Sequence, residues 1–186
     1  MKNLYTKLTF LAIILSLALS ISCKKEEEEI IPKPDPMYFD SLIDSRDGIV
    51  YKTVVINNQE WMAENLKYKP NSGNFWAYDD DTSNIATYGY LYDWALACTS
   101  CPSGWRLPNN DDWETYYNYI GGNEKAGGKM KEIGTSHWLS PNTSATNEAG
   151  FNGLPGGFRN HYDEFKYQGF FGYFWSISEF DNNLVH

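Results

Sequence analysis

One stretch decides the fold of this 186-residue chain: IVYKTVVINNQEWM, residues 49–62. Its first eight residues are rich in valine and isoleucine, which favour an extended backbone. Asn57 and Asn58 follow, and asparagine tolerates the positive φ that a two-residue turn requires. The stretch therefore predicts a β-hairpin that opens a sheet.

Three later segments favour short helices. Residues 88–97 place apolar side chains at three- and four-residue spacing. A stronger helix starts at Asn109, where Asp112 can reach back to the cap and Gly121 lies beyond the helix end. A weaker helix covers residues 124–132, and the glycine- and aromatic-rich remainder predicts short strands and long ordered loops. The predicted fold class is α+β.

Composition limits the possible partners. The chain has 15 basic and 24 acidic residues, a net charge of −9, and such a surface repels a phosphate backbone, so no nucleic-acid partner is predicted. Aromatic residues make up 17% of the chain. That content is typical of faces that bind sugars or proteins, and equally of a packed aromatic core.

The N-terminal residues predict a bacterial lipoprotein signal peptide, residues 1–22. Lys2 and Lys7 precede an apolar run at residues 8–19, which is too short to span a bilayer comfortably, and small residues follow at 20–22. Cys23 would then carry acyl chains such as palmitate, and two or three chains hold firmly at about 0.8 kcal/mol per buried methylene. An uncleaved signal anchor and an ordinary secretory peptide are the alternatives.

Residues 23–38 are interpreted as the lipidated cysteine and a disordered acidic, proline-rich tether. The run KKEEEE at residues 24–29 resembles a signal that sends lipoproteins to the outer face of the outer membrane, and a solvated charge run is the alternative. The expected location is the bacterial outer membrane, lipid-anchored, with a periplasmic or an outward orientation both open. Residues 39–186 are predicted to form a single domain.

Eight short motifs follow one another in this domain. They are QEWMAENL (59–66), YGYLYDW (88–94), CPSGWRLP (101–108), DDW (111–113), AGGKMKE (126–132), NEAGF (147–151), LPGGFR (154–159) and GYFWS (172–176). Together they resemble the Fibrobacter succinogenes major paralogous domain, a family of bacterial secreted and lipoprotein domains. The resemblance implies a fold related to C-type lectin-like and sulfatase-modifying-enzyme-like domains, and it implies no established activity.

The resemblance also implies that the family continues past the tryptophan–serine motif. We therefore expect the last strands of the domain to be missing here and a strand edge to be left unpaired, which is an aggregation liability. The family would pair Cys101 with a later cysteine that this chain lacks. A local disulfide between Cys98 and Cys101 and two free thiols both stay open.

Metal and cofactor sites are weakly signalled. The histidines are scattered, so no zinc site is predicted around the cysteine pair. Asp79 and Asp81 occupy alternating positions, as in some calcium loops, although an acidic surface loop explains them as well. No cofactor is predicted.

No catalytic motif is present, so no enzyme activity is predicted and no catalytic residue is assigned. The anchor, the tether and the lectin-like resemblance favour a non-enzymatic domain whose late loops, about residues 138–174, bind a glycan or an envelope protein. The candidate ligand-binding residues are Trp138, Arg159, Tyr162, Tyr173 and Trp175, and Arg159 is expected to pair with Glu148 or Glu179. A structural scaffold lipoprotein is the alternative, and a glycan-modifying enzyme is least favoured.

Overall fold

The structure is a computed structural model that describes residues 38–179. Cys23 and the predicted signal peptide lie outside the described residues, as does nearly all of the predicted tether. The described part combines small antiparallel sheets with short helices, which confirms the α+β class. None of its helices is long and apolar enough to cross a membrane.

The main sheet contains three antiparallel strands in the order β1 (Tyr38–Ile43), β2 (Val50–Ile56) and β3 (Gln59–Met62). The predicted hairpin is confirmed, because Asn57 and Asn58 have φ values of 47° and 61° and connect β2 to β3. Strand β1 was not predicted. Its sequence, YFDSLI, interrupts the apolar pattern with polar residues, and it becomes a strand by pairing with β2.

A turn between β1 and β2 ties this sheet to a distant loop. The carboxylate of Asp44 is fully buried and accepts hydrogen bonds from Arg46 Nε at 2.8 Å and Nη2 at 2.6 Å. Arg46 Nη1 donates to the Ser100 carbonyl oxygen at 2.9 Å, and the guanidinium lies 3.7 Å from the centroid of the Tyr68 ring. The hydrogen bonds from Arg46 hold the pKa of Asp44 below its usual value.

The middle of the domain contains two two-residue strands and two one-turn helices. Strand β4 (Phe75–Trp76) pairs with β5 (Leu91–Tyr92), and the helices are α1 (Ile85–Tyr88) and α2 (Trp94–Ala97). The predicted helix over residues 88–97 is therefore wrong for its first half. Gly89 has φ 69° and passes so close to the Leu66 carbonyl oxygen that a Cβ atom would collide with it, which ends α1 before β5 begins.

The two later helices are α3 (Asn110–Tyr119) and α4 (Asn123–Met130), close to their predicted bounds. Asn109 caps α3 through a reciprocal capping box, in which its side chain accepts from Asp112 N and the Asp112 carboxylate accepts from Asn109 N, both at 2.8 Å. This confirms the predicted cap.

The core lies between the main sheet and these two helices. Trp61 from β3 packs against Trp113 and Tyr116 from α3, with ring centroids 4.7 and 4.9 Å apart, and Phe151 closes the cluster. Beyond the core the chain forms mainly loops. They contain the hairpin of β6 (Phe158–Arg159) and β7 (Phe165–Lys166), as predicted for the late segment.

Candidate ligand-binding cleft

A cleft of about 540 Å³ runs along strand β3. All eight residues 59–66 line it. The other contributions come from distant segments: residues 88, 90–92, 97, 101, 102, 104–108, 112, 113, 151–154, 156, 157 and 173–175. Seven of the eight motifs quoted above therefore meet at one site, and only the AGGKMKE motif of α4 does not contribute.

Aromatic rings form much of the cleft wall. Phe151 and Phe174 approach with ring centroids 5.1 Å apart, and Trp113 lies 6.2 Å from Phe174. Trp105 is half-buried on the loop before α3, and its indole N–H forms no hydrogen bond within residues 38–179. Such a wall offers stacking surface and a free donor to a bound ligand.

Three polar side chains of the cleft, Gln59, Arg106 and Asp112, are hydrogen-bonded to one another. The Asp112 carboxylate forms a bidentate pair with Arg106, with Nη2 2.9 Å from Oδ1, and also accepts from Gln59 Nε2 at 3.3 Å. Hydrogen bonds from Arg106 hold the pKa of Asp112 below its usual value and raise that of Arg106. The pair stays charged at neutral pH and fixes the rim of the cleft beside α3.

The structure brings two of the five predicted ligand-binding residues to this cleft. Tyr173 and Trp175 line it, and Trp175 Nε1 donates to the Tyr92 carbonyl oxygen at 2.9 Å. Trp138 is buried, and its Nε1 donates to the Gly153 carbonyl oxygen at 3.0 Å. Tyr162 is 73% exposed but lies outside the lining.

Arg159 also lies outside the lining, and its predicted partner is wrong. Its Nη1 atom contacts Asp163 Oδ1 at 2.8 Å, while its guanidinium packs 4.3 Å from the Trp76 ring centroid. Glu148 pairs instead with Lys129 at 3.2 Å. The β6–β7 hairpin places Asp163 four residues away, and such a short loop costs less chain entropy to close than a contact with Glu148 or Glu179.

Cys98 and Cys101 carry free thiols in the structure. Cys101 lines the cleft, and burial raises the pKa of its thiol. A disulfide between them under oxidising conditions stays a prediction. At the calcium candidate, Asp81 Oδ1 accepts from Ser83 N at 2.9 Å and caps a short helical turn, and residues 38–179 contain no group of three or more metal-ligating side chains.

Trp61, Trp105 and Phe151 line the cleft but were not among the predicted ligand-binding residues. Recognition was predicted in the late loops, whereas β3 and the loop before α3 also line the cleft. The signal that could have found them was the set of motifs itself, because these residues stand within the segments that carry the family resemblance.

Comparison with known families agrees with that resemblance. The model of the Fibrobacter succinogenes major domain matches residues 54–185. The chain therefore belongs to the Fibrobacter succinogenes major domain family. It matches no curated protein and no solved structure.

Proposed function

We propose that this chain is an envelope lipoprotein whose domain is a non-catalytic recognition module, with the cleft along β3 as its ligand site. One observation carries the proposal: seven motifs that are scattered between residues 59 and 176 line a single open cleft. Concave sites with aromatic walls and a few oriented polar groups are the usual ligand sites of proteins. The Arg106–Asp112 pair supplies such oriented groups at the rim.

The proposed location in the cell envelope rests on the N-terminal sequence. Cleavage after residue 22 would leave Cys23 to carry acyl chains, and residues 24–38 would hold the domain away from the membrane. Labelling cells with a palmitate analogue tests this step. The wild-type chain should be labelled and a Cys23→Ala variant should not, and a Cys23→Ala variant that still sediments with membranes would count against the lipid anchor.

We also propose that the fold is of the C-type lectin-like kind. The combination of small sheets, short helices and long ordered loops supports this proposal, as do the motifs that carry the resemblance. On this view the loops after α4 and the segment before α3 are ligand-contacting regions, and the main sheet with α3 is their support.

The scaffold alternative makes a different use of the aromatic residues. The scaffold alternative is favoured by the rings that pack against one another in the core. It is also favoured by the burial of the tryptophans, because Trp175 is the only exposed one of the seven. Recognition is favoured by a second group of rings, Tyr167, Phe171 and Tyr173, each at least 50% exposed. Phe171 lies 5.5 Å from Tyr167 and 6.1 Å from Tyr173, measured between ring centroids. Tyr173 also lines the cleft, so this group of exposed rings is in contact with the cleft wall.

The test compares one ring inside the cleft with one outside it. The mature chain is screened against cell-wall polysaccharides, fractionated envelope proteins and a random peptide library. For any ligand found, Trp105→Ala should weaken binding at least tenfold, because it removes a stacking surface and an indole donor. Phe170→Ala removes a ring that is 58% exposed but outside the lining, and it should change affinity less than twofold. Equal effects of the two variants would contradict the cleft as the ligand site.

A further inference from the structure

Strand β3 is an edge of the main sheet, and all four of its residues line the cleft. The two-residue turn makes Ile56 and Gln59 a hydrogen-bonded pair, so Val54 and Trp61 form the next such pair in the antiparallel ladder. Ala63 N continues the alternation by donating to the Lys52 carbonyl oxygen at 2.8 Å. The backbone groups of the intervening residues, Glu60 and Met62, therefore point away from β2.

These outward groups have no hydrogen-bond partner within residues 38–179. Neither the N–H nor the C=O of Glu60 or Met62 bonds to another described backbone or side-chain group. Glu60 and Met62 are two residues apart on the strand, and each residue rises about 3.4 Å. Their outward N–H and C=O groups are therefore about 6.8 Å apart. Proteins usually cover such an edge, because unpaired strand groups are a template for another strand.

We propose that the cleft is a strand-acceptor site, in which an extended polypeptide segment pairs with the edge of β3. This inference rests on the proposed function and names its ligand class. The partner strand would satisfy the N–H and C=O groups of Glu60 and Met62 and lie against the aromatic wall. A glycan can stack on that wall, but it has no regular series of hydrogen-bond donors and acceptors with the two-residue spacing of a β-strand.

The two faces of β3 determine which side chains the partner should carry. Trp61 points to the face that packs in the aromatic core, so partner residues on that face should be apolar. Glu60 points to the other face, is exposed, and has one described partner, the Thr53 hydroxyl at 2.6 Å. A basic residue opposite Glu60 would complete a favourable cross-strand pair.

The charge of the whole cleft points to the same partner. Its charged lining residues are Glu60, Glu64 and Asp112 against Arg106, and Arg106 is already paired with Asp112. Glu64 Oε1 lies 3.6 Å from Nζ of Lys67, which is outside the lining, so Glu60 is the lining carboxylate that has no basic partner within residues 38–179. The unbalanced charge of the cleft is therefore negative. A second copy of this acidic chain would bring like charges together at the edge, so the site fits a segment of alternating apolar and basic residues better than it fits itself.

The first test selects ligands and then removes their backbone donors. The lipidated full chain in detergent is used to select binders from a random twelve-residue peptide library, and the selected peptides should alternate apolar and basic residues. N-methylation of the peptide residues whose N–H groups face β3 should weaken binding about tenfold per site, since each loses one backbone hydrogen bond and crowds the edge. Methylation at the intervening positions should change affinity less than twofold.

The second test removes one donor from the protein. Met62→Pro deletes an outward N–H without breaking the bonds to β2, and proline is tolerated on an edge strand in this position. The matched control is Ile43→Pro, which deletes an outward N–H on β1, the opposite edge of the same sheet, where that N–H also has no partner within residues 38–179. Met62→Pro should weaken peptide binding about tenfold and Ile43→Pro less than twofold. If Met62→Pro does not fold, the N-methylated peptides decide the question on the wild-type chain.

The outcomes separate this inference from the proposed function. Peptide binding that is insensitive to the pattern of N-methylation overturns the strand-acceptor site. If the chain binds polysaccharide but no peptide, and Trp105→Ala loses that binding, the strand-acceptor site is overturned while the recognition function stands. If no ligand of any class binds, the result counts against both the strand-acceptor site and the recognition function. Self-association abolished by Met62→Pro, or peptide binding that appears only after removal of residues 180–186, would assign the edge to a second copy or to the chain's own last segment and also overturn the inference.

Discussion

Replacing Arg46 with methionine should destabilise the domain by about 3 kcal/mol, at the lower end of the cost of breaking a buried ion pair. The Asp44 carboxylate is fully buried, whereas the Arg46 side chain is 25% exposed, so some water can reach the site after the change. Methionine keeps an apolar stem that can pack on Tyr68. The loss therefore measures mainly the charge left behind on Asp44.

Urea unfolding followed by tryptophan fluorescence gives the free energies for a double-mutant cycle. The double variant Asp44→Asn/Arg46→Met leaves no buried charge at this site. Its loss in free energy of unfolding should therefore be about 2 kcal/mol smaller than the sum of the losses in the two single variants. The pH dependence has a definite sign. Because the folded-state pKa of Asp44 is lowered, its contribution is present above the unfolded value of about 3.9 and is lost as the pH falls through the folded value.

Asp44→Asn should accordingly lose less stability than the wild type between pH 5 and pH 3, both measured as the free energy of unfolding. An Arg46→Met variant within about 0.5 kcal/mol of the wild type would refute this account, because changes of that size are typical of surface positions. Additive losses in the double variant would show that the two side chains do not act as a pair.

Three further outcomes are expected from the same domain. Asn109→Ala should cost about 1 kcal/mol in urea unfolding through loss of the α3 cap, against less than about 0.5 kcal/mol for Asn118→Ala on the exposed face of that helix. Gly89→Ala should cost several times more than Gly104→Ala, because both have positive φ but only Gly89 has a backbone carbonyl oxygen in the path of a new Cβ atom. Chromogenic thiol titration of a natively folded Cys23→Ala variant should count two thiols, with slow reaction at Cys101 because its raised pKa reduces the thiolate, and a count of zero would show that Cys98 and Cys101 are bridged.

Several elements could be predicted because their causes are local. The β2–β3 hairpin follows from two adjacent asparagines that adopt positive φ, and the start of α3 follows from a cap whose donor and acceptor are three residues apart. Such signals are present in the sequence whatever the rest of the chain does. Boundaries of α4 were predicted to within two residues for the same reason.

The errors have long-range causes. Leu91, Trp94 and Ala95 fit a helical spacing, but Leu91 and its neighbour Tyr92 pair with Trp76 and Phe75 and form a strand instead. Strand β1 exists because β2 offers it an edge, and its own sequence is a weak strand signal. The expected partner of Arg159 was chosen from the sequence without knowing which carboxylate the β6–β7 hairpin would bring near.

By itself, the sequence determined the α+β class, the hairpin, the α3 cap and, through its ordered motifs, the family. Only the tertiary structure decided that those motifs line one cleft, that Trp138 is buried while Tyr173 opens onto a site, and that no strand within residues 38–179 pairs with the outer edge of β3. The physical reason is the sequence distance between the residues that interact. Turns and caps are satisfied within a few residues, whereas burial of a side chain and pairing of a strand edge depend on segments that are distant in sequence, as Trp61 and Phe151 are.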